Sequence, residues 1–99
     1  MEKEELYNEA WRLWGGDMQL DILIEEMAEL TQAIIKARRH GVLWSHAVLE
    51  EIADVLICLE QVETQLKAMP VDIVGELKAG KLARLEERLV AAKAEVQDA

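Results

Sequence analysis

Ninety-nine residues bound the chain to one small domain, 1–99, and a 52% hydrophobic composition without Phe leaves Leu, Ala, Ile and Val to build its core. Twenty acidic against eleven basic residues give a formal charge of −9, which repels nucleic-acid backbones and anionic membranes, so any phosphate must be held by local cations or metal ions. A single cysteine, Cys58, excludes an internal disulfide and fits a reducing compartment.

The charged start Met1-Glu2-Lys3-Glu4-Glu5 has no signal core, and no apolar run reaches the length of a membrane span. The expectation is a soluble cytoplasmic protein with neither nucleic acid nor membrane as partner.

From Glu2 to Trp14 the spacing predicts a first short helix. Leu6, Ala10 and Leu13 share one face, and Tyr7, Trp11 and Trp14 form an adjacent stripe. Gly15-Gly16 stops it, with Asp17 as the expected N-cap of the next helix. The second helix is predicted from about Met18 to Arg39, ending near Gly41, with Leu20, Leu23, Met27, Leu30 and Ile34 as its packing seam. The third is predicted from about Ser45, as N-cap, to Met69, stopped by Pro70; its seam is Val48, Ile52, Val55, Leu59, Val62 and Leu66. The fourth begins near Val71 or Asp72 and runs into the nineties along Leu82, Leu85, Leu89, Ala92 and Val96, with Gly75 and Gly80 weakening its first turns. Short connections favour antiparallel neighbours, so the expected fold is an all-α antiparallel bundle of about four helices.

Two acidic patches stand out: Glu25-Glu26-Met27-Ala28-Glu29 and Glu50-Glu51-Ile52-Ala53-Asp54. Residues three apart share a helix face. Rotating each residue by about 100° puts Glu26 and Glu51 inside the apolar arcs and Glu29 and Asp54 at their edges. An ionised Glu at a helix interface is costly unless paired or metal-bound. Lys and Arg are scarce on both stripes, so four facing carboxylates demand protonation or a cation. An all-carboxylate set without His or Cys suits Mg²⁺ or Mn²⁺ rather than Zn²⁺. The competing reading is that these side chains reach solvent at the bundle edge.

Glu26-x-x-Glu29 and Glu51-x-x-Asp54, with 21 residues between Glu29 and Glu51, resemble the ExxE…ExxD signature of MazG-like, all-α nucleoside triphosphate pyrophosphohydrolases of the short phage and bacterial type. Gln19, the run Glu25 to Ile34, Arg38 or Arg39 before the loop, Glu50 to Val55, and Lys81-Leu82-x-Arg84-Leu85-x-x-Arg88-Leu89 continue the likeness, roughly from Trp14 to Leu89.

The resemblance implies hydrolysis of a (deoxy)nucleoside triphosphate between its α and β phosphates, giving monophosphate and pyrophosphate, in nucleotide-pool cleansing. It implies Glu26, Glu29, Glu51 and Asp54 as Mg²⁺ ligands, with Mn²⁺ able to substitute, and Glu25 as the residue that activates water. Lys36, two turns beyond Glu29, and Lys81 and Arg84 on the fourth helix are expected phosphate contacts; Gln19, Gln32 and Arg88 are further candidate substrate contacts. A homodimer or homotetramer is expected, partly from the likeness and partly because apolar positions wrap around helices two and three. Two alternatives stand beside this reading: a phosphoribosyl-ATP pyrophosphatase-like enzyme, and a non-catalytic acidic helical interaction module. Cys58 reads as a buried apolar thiol, His40 and His46 as solvent or capping residues, and Trp11, Trp14 and Trp44 as interface or core packing residues, with stacking on a base as the alternative.

Overall fold

A computed structural model describes residues 1–98. These fold as four helices: α1 (Lys3–Trp14), α2 (Gly16–Arg39), α3 (His46–Leu66) and α4 (Ile73–Asp98). The all-α expectation holds. The chain divides into two compact units, Met1–Ala68 and Met69–Ala99. Among the described residues no helix is long and apolar enough to cross a membrane.

In the first unit α1, α2 and α3 pack on one another, most extensively α2 on α3. The α1–α2 junction is tighter than expected. Gly15 closes α1 by donating its N–H to the Trp11 carbonyl at 2.9 Å, and its own carbonyl accepts from Gln19 at 3.1 Å as α2 begins. Its φ of 84° is a left-handed conformation that glycine adopts without a Cβ clash. Gly16 is already helical, and a Cβ there would lie 2.9 Å from the Trp11 ring. Asp17 is therefore not the N-cap. It sits inside the first turn, where a negative charge meets the positive end of the helix.

The loop from α2 to α3 follows its sequence signals. Gly41, at φ 70°, donates to the Arg38 carbonyl and Val42 to the Ala37 carbonyl, the paired bonds of a Schellman ending. Ser45 caps α3, its Oγ accepting from the Val48 N–H at 3.2 Å. The third helix stops at Leu66 rather than Met69, its end closed by Lys67 bonding back to the Glu63 carbonyl.

Three polar ties join α1 to α3. The Tyr7 hydroxyl donates to Glu60 at 2.6 Å, Lys3 lies 3.4 Å from the same carboxylate, and Gln65 donates to Asn8 at 2.9 Å. Tyr7 is buried, and its hydrogen bond to Glu60, reinforced by burial, pushes the phenol up to about 12. The same bond pulls the Glu60 carboxyl below its usual range.

The packing faces differ from the predicted seams. On α1, Tyr7 and Ala10 are buried whereas Leu6 and Leu13 are exposed. On α2 the covered positions are Gln19, Ile22, Leu23, Glu26, Leu30, Ala33 and Ala37, while Leu20, Met27 and Ile34 face outward. The helix is thus rotated so that Glu26, expected just inside the margin of the apolar arc, lies near the centre of the packed face. On α3, Val48, Ile52, Val55 and Val62 are covered as expected, and so is Glu51, but Leu59 and Leu66 give way to Cys58 and Gln61. The reason is that apolar residues surround both helices, so the centre of the apolar arc does not single out one face. Trp14 and Trp44 are exposed, so neither packs into the core of the first unit.

In the second unit, Asp72 caps α4 by accepting the Gly75 N–H at 3.0 Å. The helix then continues unbroken through Gly75 and Gly80. None of its described residues is buried.

Candidate metal centre

The centre is built where α2 and α3 face each other. Glu26 contributes from α2, Glu51 and Asp54 from α3, and ligand oxygens of all three lie within 4.8 Å of one another. The i, i+3 spacing carries Glu51 and Asp54 to one side of α3, and the α2 rotation carries Glu26 to meet them. The two helices run antiparallel: Glu26 meets Glu51 and Asp54, while Gln19, seven residues earlier on α2, shares a cavity with Cys58 and Gln61, later on α3.

The electrostatics of this arrangement are unfavourable without a cation. The Oε2 atoms of Glu26 and of Glu51 are buried with no hydrogen-bond partner. Burial first, then the charges of Glu29, Asp54 and Glu51, push the Glu26 carboxyl up to about 7. Every charged group acting on it is another carboxylate. Glu51 is likewise raised, by burial and then by Glu29 and Asp54, while the Glu26 carboxyl, a donor when protonated, works the other way. Hard oxygen ligands in a like-charge cluster make a site able to ligate a metal ion.

The remaining expected residues divide by position. Glu29 is exposed and lies outside the group of three, yet it acts on both Glu26 and Glu51. Glu25, beside Glu26 in sequence, and Gln32 are exposed, and so is Lys36 near the end of α2. Lys81, Arg84 and Arg88 are exposed on α4, in the second unit. His46 pairs with Glu50 at 2.8 Å on the surface, and His40 closes the end of α2.

A cavity of about 330 Å³ opens beside the carboxylates. Glu26 and Asp54 form part of its wall, Trp14, Met18, Ile22 and Ile57 give it an apolar side, and Gln19 and Gln61 add two carboxamides. Cys58 also lines it and is half-buried; burial, then Glu26 and Asp54, raise its thiol. Cys58 follows Asp54 on the ligand-side stripe in the sequence too, but Gln61 in the wall was missed, although Asp54, Cys58 and Gln61 recur at helical spacing and carried the signal.

Comparison of the chain with known protein families, with curated proteins and with solved structures finds no match.

Proposed function

We propose that the chain is a Mg²⁺-dependent nucleoside triphosphate pyrophosphohydrolase cleaving between the α and β phosphates, in keeping with its likeness to the MazG-like enzymes. The observation that carries this reading is the cluster of Glu26, Glu51 and Asp54, with two buried carboxylate oxygens left unpartnered beside a cavity of about 330 Å³. The donor set fits a hard divalent cation: oxygen ligands only, and no basic side chain raising the local charge.

Glu26, Glu51 and Asp54 hold the metal, and Glu29 completes or tunes the set through its charge. When bound, Mg²⁺ neutralises phosphate oxygens and favours loss of a proton from water. Glu25, exposed next to Glu26, accepts that proton. Lys36, near the end of α2, supplies positive charge to the leaving pyrophosphate. The exposed apolar stripe of Leu20, Ile24, Met27 and Ile34 on α2 is covered by a second copy of the chain in a homodimer or homotetramer.

A pyrophosphate-release screen over canonical and modified nucleotides, with and without Mg²⁺ or Mn²⁺, tests the reading. Turnover that requires metal and falls about 100-fold or more in folded Glu51→Gln is expected. Release from no nucleotide, or Glu51→Gln turning over normally, would leave an acidic interaction module as the better reading. Phosphoribosyl-ATP in the same screen separates the histidine-synthesis type of activity.

A further inference from the structure

The cavity has two chemically different ends, and the carboxylates account for one of them. Gln19 is only 6% exposed, and its Nε2 is buried with no hydrogen-bond partner. A buried donor left unmade is destabilising, and such groups are rare unless a water or a ligand supplies the acceptor. Gln19 precedes Glu26 by seven residues, and Gln61 follows Asp54 by seven. On antiparallel helices rising 1.5 Å per residue, both carboxamides come to the same end of the cavity, roughly 10 Å along from the carboxylates. Trp14, Met18, Ile22 and Ile57 also line the cavity. No basic side chain lines this cavity.

We propose that Gln19 and Gln61 form the base-reading end of the site, selecting an uncharged heterocycle that presents a ring carbonyl or ring nitrogen to the Gln19 N–H. The proposal rests on the nucleotide reading of the carboxylate end and extends it to specificity. A separation of about 10 Å between the two polar ends suits a nucleoside whose phosphates reach the metal ligands while its base lies among apolar side chains. A carboxamide offers a donor and an acceptor side by side, so it pairs with the edge of a base and rejects one whose groups are reversed. A site built around such a bond discriminates more sharply than an apolar pocket does, because the wrong ligand leaves the buried donor unmade.

The test is calorimetric titration of the four deoxynucleoside monophosphates in the presence of Mn²⁺, using the full chain and its Gln19→Leu and Gln61→Leu variants. Half-buried Gln61 tolerates an apolar replacement on folding grounds even if buried Gln19 does not, and Mn²⁺ binding measured alone by electron paramagnetic resonance reports an intact metal centre. The wild type is expected to separate the bases by about tenfold or more, and each variant to lose about 10- to 100-fold on the preferred base while Mn²⁺ binding is retained. Variants that keep wild-type selectivity, or a wild type that binds no monophosphate, overturn the proposal. So does a wild type that hydrolyses all nucleotides and base-free inorganic triphosphate with equal kcat/KM, a result that leaves the hydrolase reading standing. Base-selective binding without any pyrophosphate release leaves the base-reading pair in place and removes the hydrolase reading instead.

Discussion

Replacing Glu26 by Gln should move stability in opposite directions with and without metal. Glu26 has ligand oxygens within 4.8 Å of Glu51 and Asp54, and its Oε2 has no partner to lose. At that separation, with the strong screening appropriate to a half-exposed site, removing the charge relieves about 1 kcal/mol of repulsion. For a chain of this size that corresponds to a rise of about 4–8 °C in the metal-free Tm.

The pH dependence follows in sign. The folded-state carboxyl is pushed up to about 7 from 4.5, so the native state binds the proton more tightly than the unfolded chain does. Its favourable contribution is fully present at low pH and is lost as pH rises from about 4.5 through about 7. The Glu26→Gln gain should therefore be full at pH 8 and absent only below the unfolded value of 4.5, at about pH 3.5. Metal at about 100 times its Kd should stabilise the wild type by about 2.7 kcal/mol, and Glu26→Gln should lose most of that shift. Thermal unfolding by circular dichroism, in EDTA and in Mn²⁺ at both pH values, reads all four quantities. A variant that melts lower than wild type in EDTA at pH 8 would refute the repulsion argument; an undiminished Mn²⁺ shift would refute the ligand assignment.

The other expectations concern the frame around the site. Tyr7→Phe removes a part-buried 2.6 Å hydrogen bond to Glu60 and should cost about 1 kcal/mol in urea unfolding. Tyr7 is the single tyrosine, so absorbance at 295 nm should show its ionisation displaced to about 12; a midpoint at the free value of 10 would show that the Glu60 contact does not persist in solution. Ser45→Ala should cost about 1 kcal/mol through loss of the α3 cap, and Ser45→Asp should retain the stability. Val48, 1% exposed, is the most enclosed side chain of the first unit, and Val48→Ala should cost about 2 kcal/mol, visible as a lower urea midpoint with unchanged slope.

How much could be read without coordinates differs by level. Helix existence and most boundaries follow from local signals: Gly41 ends α2 through its left-handed φ, Ser45 caps α3, and Asp72 caps α4. The Gly15-Gly16 break was legible too, but not which glycine ends α1 and which opens α2; that depends on the Trp11 ring lying against Gly16. The carboxylate pairs at i, i+3 are a property of the sequence alone. Helical phase was not. Leu20, Met27 and Ile34 form as good an apolar stripe as Ile22, Leu30 and Ala33, and only packing against α3 decides which one is covered.

That decision turns Glu26 inward and brings it to Glu51 and Asp54, while Glu29 stays at the exposed margin. It also places Gln19 and Gln61 on one cavity, a meeting between residues 42 positions apart that the antiparallel register of two helices produces and helical periodicity within either one does not. The sequence by itself determined the helices, their caps and the acidic signature, because those depend on residues within a turn or two of one another. The tertiary structure decided which faces meet, because that choice rests on burial summed over two helices rather than on the pattern of one.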